Sequence, residues 1–497
     1  MKEKNRFSHL LKHLMAVANL KNYVLAKELQ YDESYISKWI TGSLLPTEKN
    51  SEKVFRDISR CIVASCTPEN LGVLYSEYQV DQNRDLEDAI FDNLVAEFDY
   101  VIHLKESTGS EVADKTAYYP ELTLAQFLKK MRHPVLRQVK SLDVMMATDI
   151  LALDRHYQMA LAELEHNENV NVTQRYYPGV RFTMMINLDS PEENNIYNVQ
   201  FLQNLLTNLS NVDFHLHSIP QSQGKLLFTV KDAYAISGMI MDENHCLSVT
   251  TTEEAKNVNA LYERLQSLCR QETLAVRRTT MEHMLQSNEY MHFSFSRGQR
   301  WCISHVTEHF LPDDVFTELA DQFCQKHKDV DRATLDQAHR FAGKVLETID
   351  SQFLISEDGM NHFVVTGRVD FWGDKMELSP AQRARCLAHA QYLAQTNSNM
   401  HLRILRKPSS ARLQNIPQPM LHLSDSFSYM RIHRSGPSYN ISILSHPKLR
   451  SMFRRYFDTI WDDGNYVYLD AGSPKDLLQY WMQMVQVQIM TEKGKKN

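Results

Sequence analysis

The stretch Leu25-Ala26-Lys27-Glu28-Leu29-Gln30-Tyr31-Asp32-Glu33-Ser34-Tyr35-Ile36-Ser37-Lys38-Trp39-Ile40-Thr41-Gly42 leaves this chain little conformational freedom near its N-terminus. Val24, Leu25 and Leu29, then Ile36, Trp39 and Ile40, recur at three- and four-residue intervals, so each segment can gather an apolar face as a helix. Asp32 or Ser34 suits the start of the second helix, because a side-chain oxygen there accepts the amide hydrogens that a helix start leaves unpaired. Gly42 supplies the left-handed residue that ends it, and Pro46 prevents continuation. Further helices are expected over Phe7 to Ala18, with Leu10, Leu11, Leu14 and Met15 inward, and over Thr47 to Ala64, with Val54, Ile58 and Ile62 inward. Four or five helices in about 65 residues make a unit that can fold without metal or disulfide.

Two short helices around a tight polar break form the helix-turn-helix pattern, whose second helix enters the major groove of DNA. The run Phe7 to Ile62 resembles the Cro/C1-type (XRE) helix-turn-helix family in Leu25-Ala26, Ile36-Ser37-Lys38-Trp39, Gly42 and Pro46. That resemblance implies duplex DNA as partner, bound by a homodimer on a two-fold operator. Asn22 stands where the family commonly has Gln, and Thr41 where it often has Arg. With Ile36, Trp39 and Ile40 inward, the candidate DNA-contacting residues are Asn22, Glu33, Ser34, Tyr35, Ser37, Lys38 and Thr41. Lys38 suits guanine or the backbone; Glu33 suits a cytosine amine or, more simply, the helix cap. Residues 1 to 60 hold eleven Lys and Arg against seven Asp and Glu, whereas the whole chain is near −7. A basic module on an acidic body fits DNA contact confined to one end.

At 497 residues, with 43% hydrophobic and 23% charged residues, the chain is expected to form several ordinary globular domains. No eighteen-residue apolar window predicts a membrane span, and no apolar signal core follows the charged start. Cys61, Cys66, Cys246, Cys269, Cys302, Cys324 and Cys386 are odd in number and scattered, which suits reduced thiols in a cytoplasm. The expected organisation is multidomain: an all-α helix-turn-helix domain (1–66), a helical connector (67–170), a first α/β unit (171–280), a helical or mixed segment (281–398) and a second α/β unit (399–490). Helices are expected over Leu122 to Arg132 and from about Pro134 to His166.

Between Val180 and Gln271 the apolar period becomes extended. Strands are expected over Arg181–Leu188, Val212–Ile219, Leu226–Val230, Ala233–Met241 and Cys246–Thr251, with helices over Asn195–Leu209 and Thr252–Cys269. A second unit of similar layout places strands at Leu402–Leu405, Tyr429–His433 and Tyr439–Leu444 and a helix at Lys448–Trp461. Interleaving of this kind predicts an α/β (α+β) body. Lys225 to Asp232 followed by Ile236-Ser237-Gly238 resembles a phospholipase D half-domain, but Lys225 and Leu227 stand where that family has its nucleophilic His and its Lys; Asp232 alone matches. His446-x-Lys448 in the second unit is followed by Phe453 at the acid's place. The resemblance implies a degenerate fold without the phosphoryl-carrying centre.

Other groupings have plainer explanations. Cys302, His305 and His309 could share one helical face, yet Trp301, Ile303 and Val306 suggest simple packing. Asp213, His215 and His217 alternate along a strand face. Arg277-Arg278 and Arg454-Arg455 could cradle a phosphate but are more simply solvated pairs. Phe353, Phe363, Phe371, Trp372, Tyr429, Tyr456, Phe457, Trp461, Tyr466 and Tyr468 read as core before they read as a ligand pocket. The sequence thus predicts a cytoplasmic, non-enzymatic transcriptional regulator with no metal or cofactor, whose body dimerises and senses a small-molecule or peptide effector. The alternatives are a phospholipase D-type phosphodiesterase with a DNA-targeting module, and a protein-interaction adaptor.

Overall fold

The computed structural model describes residues 6–47, 50–78, 83–108, 115–131, 133, 135–136, 142–155, 157–158, 180–189, 194–242, 244–287, 289–290, 296–303, 306–328, 330–372, 374–406, 419–432, 440–468 and 473–496. Its N-terminal part is helical: α1 Arg6–Val17, α2 Asn22–Leu29, α3 Glu33–Thr41, α4 Ser51–Ser65, α5 Pro68–Tyr78 and α6 Asn83–Thr108. Phe7, Leu10, Leu11 and Leu14 of α1 repeat every three or four residues and are all buried, as are Val54, Phe55, Ile58 and Ile62 of α4. Phe7, Phe55 and Phe98 bring three of these helices together, with ring centroids 5.2–6.2 Å apart. Val24 departs from the expected stripe. It is 36% exposed, because α2 turns Leu25, Ala26 and Leu29 inward.

The chain divides into two units, each made of two segments: Met1–Thr183 with Gly224–Ser267, and Met184–Gln223 with Leu268–Asn497. The strands begin with β1 Thr116–Thr123, β2 Leu142–Thr148, β3 Val180–Ile186, β4 Asp213–Ser218, β5 Lys225–Val230, β6 Tyr234–Ile240 and β7 His245–Thr252, and the unit boundary falls inside β3. In the first unit the order is β1-β7-β6-β5-β2, each neighbouring pair antiparallel. Helix α7, Leu124–Met131, follows β1 and starts at a reciprocal pair of hydrogen bonds between Thr123 and Gln126. Strand β2 replaces part of the helix expected from about Pro134 to His166. Leu-Asp-Val-Met-Met-Ala-Thr has no polar alternation and is rich in helix formers, but it lies between neighbours in a sheet with nearly every residue buried. After the second unit's α8, Asn195–Asn208, comes α9, Ala255–Gln266, which lies on the first unit's sheet through Val258, Tyr262 and Leu265.

The second unit adds β8 Leu274–Thr279, β9 Gln299–Ile303, β10 Ser351–Ser356, β11 Arg368–Phe371, β12 Asp374–Glu377, β13 Met400–Leu405, β14 Met420–Leu423, β15 Ser428–Arg431 and β16 Ile441–Leu444. Its order is β4-β8-β16-β15-β14-β9-β10-β13; β9, β10 and β13 run parallel and the others antiparallel, so the sheet is mixed. Helices α10 Met281–Gln286, α11 Asp313–Lys326, α12 Arg332–Thr348, α13 Glu357–Thr366, α14 Pro380–Thr396, α15 Pro447–Asp462 and α16 Ser473–Lys496 complete an α/β body. Phe353, Phe363, Phe371, Trp372, Tyr429, Tyr456, Phe457 and Trp461 are core side chains; Tyr466 and Tyr468 are half-buried. No helix among the described residues is long and apolar enough to cross a membrane.

Buried in this unit, Arg431 of β15 donates to Glu308 Oε1 at 2.7 Å and to Asp370 of β11. Burial raises the Glu308 carboxyl above its ordinary value, against the pull of Arg431. Gly367 ends α13 at φ +72°, and a Cβ there would run into the Leu378 carbonyl. Gly367→Ala adds left-handed strain to that overlap and should lower stability by about 3 kcal/mol. Equilibrium denaturation of the full chain measures this; an unchanged midpoint would show that the turn can yield.

Candidate nucleic-acid interface

Helices α2 and α3 are joined by a turn whose geometry follows from backbone hydrogen bonds. Gln30 takes φ +58°, its amide donates to the Lys27 carbonyl and the Tyr31 amide donates to that of Ala26. The same pattern closes α3: Gly42 at φ +74° donates to Trp39, and Ser43 to Lys38 at 3.0 Å. Both are Schellman endings, which use up carbonyls that a helix C-terminus otherwise leaves open. The start of α3 is capped by Asp32, whose Oδ1 accepts the Ser34 amide at 2.9 Å. Hydrogen bonds from Ser34 hold the Asp32 carboxyl below its ordinary value. The cap is therefore Asp32 and not Glu33. Asp32 precedes the first helical residue and can reach back to the amide two positions on, whereas Glu33 already lies within the helix.

Ile36 and Trp39 seal the inner face of α3, with Trp39 1% exposed and its ring 5.2 Å from that of Tyr31. Ile40 is half-buried, less than its spacing suggests. Glu33, Ser34, Tyr35, Ser37, Lys38 and Thr41 are all exposed, and Asn22 is half-buried at the first residue of α2. The Lys38 ammonium stands 5.7 Å from the Tyr35 ring centre, within cation–π range. Thr41 donates its hydroxyl hydrogen to the Ser37 carbonyl at 2.9 Å, and its oxygen lies 3.1 Å from the Ser43 hydroxyl.

Two features went unread in the sequence. Lys21 makes no side-chain cap at the start of α2, and the Val24 amide already donates to the Lys21 carbonyl at 3.0 Å. Lys21, Tyr23 and Lys27 are exposed on the same helix or beside it. The missing Ser, Thr or Asp before Asn22 was the signal.

The remaining candidates are accounted for locally. Asp232 takes φ +61° in the turn after β5 and exchanges hydrogen bonds with Asn259, including one of 2.6 Å from Nδ2. His446 caps α15 by accepting the Lys448 amide at 3.3 Å, burial holds its imidazole below the usual value, and Lys448 pairs with Asp189 at 2.7 Å. Phe453 is core. The residues compared with a phospholipase D motif thus serve a turn and a helix start. Arg277 pairs with Glu289, Arg278 donates to the Ser210 and Val212 carbonyls, and Arg454 donates to Ser424 and Asp425.

Cys302 lies on strand β9, not on a helix, because Trp301 and Ile303 pack at a period of two between β14 and β10; its thiol is pushed up to about 12 by burial. His305 and the His309 side chain lie outside the described residues. All seven cysteines are free. Among the described residues no group of three or more His, Cys, Asp or Glu is placed to hold a metal ion. On β4, His215 pairs with the Asp213 carboxylate at 3.0 Å, while buried His217 shares a hydrogen bond with Thr273 at 2.9 Å.

The chain matches no protein-family model, and no curated protein matches it.

Two predictions follow from the packing. Trp39→Ala should destabilise the helical part by about 3–5 kcal/mol, whereas Lys38→Ala should stay within about 0.5 kcal/mol; thermal unfolding of both variants compares them. Burial, with His215 nearby, lowers His217 from 6.5 to about 4. The unfolded chain therefore binds the extra proton first, and stability falls as pH drops from 6.5 toward 4, by at most about 1.4 kcal/mol per pH unit. His217→Gln should flatten that slope in urea titrations across this range; an unaltered slope would assign it elsewhere.

Proposed function

We propose that the chain is a sequence-specific DNA-binding transcriptional regulator acting as a homodimer, with α2 and α3 as a helix-turn-helix and the α/β body as its dimerising and sensing part. One observation carries the reading: the wet side of α3 consists wholly of Glu33, Ser34, Tyr35, Ser37, Lys38 and Thr41, while Ile36 and Trp39 fix it to the core. A short helix presenting hydroxyls, an amine and a carboxylate carries the donors and acceptors that base edges require. Ser37 and Lys38 on its middle turn reach bases, and Ser34 and Tyr35 the flanking phosphates. Asn22 and Lys21 supply a sequence-independent hold on the backbone. The excess of basic residues in the first sixty positions adds long-range attraction. An effector that prefers one arrangement of the body alters the spacing of two recognition helices, which must lie about one DNA turn apart.

The double variant Ser37→Ala, Lys38→Ala should lose operator binding by at least about 30-fold while its thermal unfolding stays unchanged. Mobility shifts on fragments selected from genomic DNA test this, and equal retardation by both proteins would sink the reading. Binding should weaken steeply with salt and require duplex. Salt-insensitive association with a protein would favour the adaptor instead, and phosphodiester hydrolysis by the purified chain would favour the phosphodiesterase.

A further inference from the structure

Surface helices of a chain with 23% charged residues ordinarily carry Lys, Arg, Asp or Glu on their wet side. Helix α16 does not. From Leu477 to Thr491 it holds none of the four. Its inner stripe, Leu478, Trp481 and Val485, is buried in the core of the second unit, with Trp481 Nε1 donating to Asn361 Oδ1 at 2.8 Å. Its outer side is open: Tyr480 is 52% exposed, Val487 63% and Met490 70%, with Gln483 exposed among them. Spacings of seven and three put Tyr480, Val487 and Met490 on one ridge. Helix α14 lies beside it, Arg383 Nη1 donating to Gln488 Oε1 at 2.9 Å. From Cys386 to Thr396 α14 also lacks Asp, Glu, Lys and Arg, and its Tyr392 is 60% exposed.

We propose that this uncharged face of α16 and α14 docks a second copy of the chain, two α16 helices crossing at a two-fold axis. Charge selects the occupant. Each copy carries about −7, so two copies repel except where both surfaces are neutral. In an isologous contact, residues near the axis meet their own counterparts, which any charged residue would oppose. Gln483 offers both donor and acceptor and can pair with itself, and Tyr, Val and Met do so by packing. Enrichment in Tyr and Met with depletion of charge is also the composition of an interface centre. A partner chosen by charge would find nothing here to pair with. The second copy as occupant rests on the reading of a regulator that works in pairs, but its test uses no DNA.

The test is sedimentation of the full-length chain without DNA at micromolar concentrations. The unaltered chain should run at twice its monomer mass, and Val487→Glu with Met490→Glu should run as a monomer, its association at least tenfold weaker. Gln483→Glu alters only a wet polar side chain, so it repeats the measurement without touching the core. A monomeric parent chain, or a dimer that survives in Gln483→Glu and in the folded double variant, would overturn the proposal. Loss of the regulator reading would appear separately, as absent DNA retardation by a chain that still dimerises.

Discussion

The burial of Trp39 is the constraint on which the candidate interface depends. Nine residues are too few for α3 to persist alone in water, so its existence is a packing effect. Trp39 and Ile36 supply that packing, and by fixing the inner face they determine which six side chains look outward. Asp32 and Gly42 do the rest at the two ends: one satisfies an amide at the start, the other lets the chain leave in the left-handed conformation. Position and orientation of the polar face are therefore set by residues that would not themselves touch a ligand. The same logic explains why Gln30 tolerates a positive φ. Two backbone hydrogen bonds and the packing of Leu25, Leu29 and Tyr31 outweigh a strain of about 1–2 kcal/mol.

Local chemistry made this part legible in the sequence. Spacing gave the buried faces of α1 and α4, and the Gly42–Pro46 pair gave the end of α3, because each signal acts within a turn or two of chain. The strands β4 to β7 were legible for a similar reason: flanking turn residues bracket short runs of β-branched and aromatic side chains. Strand β2 was not. Its apolar residues face protein on both sides, so the alternation that marks a half-wet strand is absent, and Met and Ala lean toward helix. At Cys302 the failure was different: the alternation over five residues was present, but the spacing to His305 and His309 suggested a helix, although the preferred reading of simple packing holds for Cys302. Val24 failed because α2 is only eight residues long, and its third-position neighbours inside could be chosen in more than one way. On the site itself, the outward set of α3 was legible, and so was the cap at Asp32, although the same role offered to Glu33 does not hold.

Nothing local announced the group around Arg431. Its carboxylate partners lie 61 and 123 positions away, at Asp370 and Glu308. A guanidinium with two carboxylates leaves a negative surplus in a low dielectric, and burial answers by favouring the protonated form of Glu308. Such a group adds little net stability, but removing one partner strands a charge at a cost of about 3–5 kcal/mol. It therefore links β15, β11 and the turn at Glu308 more through what breaking it would cost than through what forming it gains. Tyr429, beside it in the core, is held in its neutral form chiefly by burial.

Charge distribution ties these parts to the proposed activity. The surplus of basic residues is confined to the first sixty positions, and the remainder is strongly acidic. An acidic body is repelled by a phosphate backbone, which disfavours unproductive contacts by anything except the N-terminal helices. Acidity has a second consequence, because it also separates one body from another. Pairing then needs a surface where neither copy presents charge, and the outer sides of α16 and α14 are such a surface. Their neutrality is costly for a wet helix, since exposed Tyr480, Val487 and Met490 gain nothing from water. A second identical face would remove that cost without bringing like charges together.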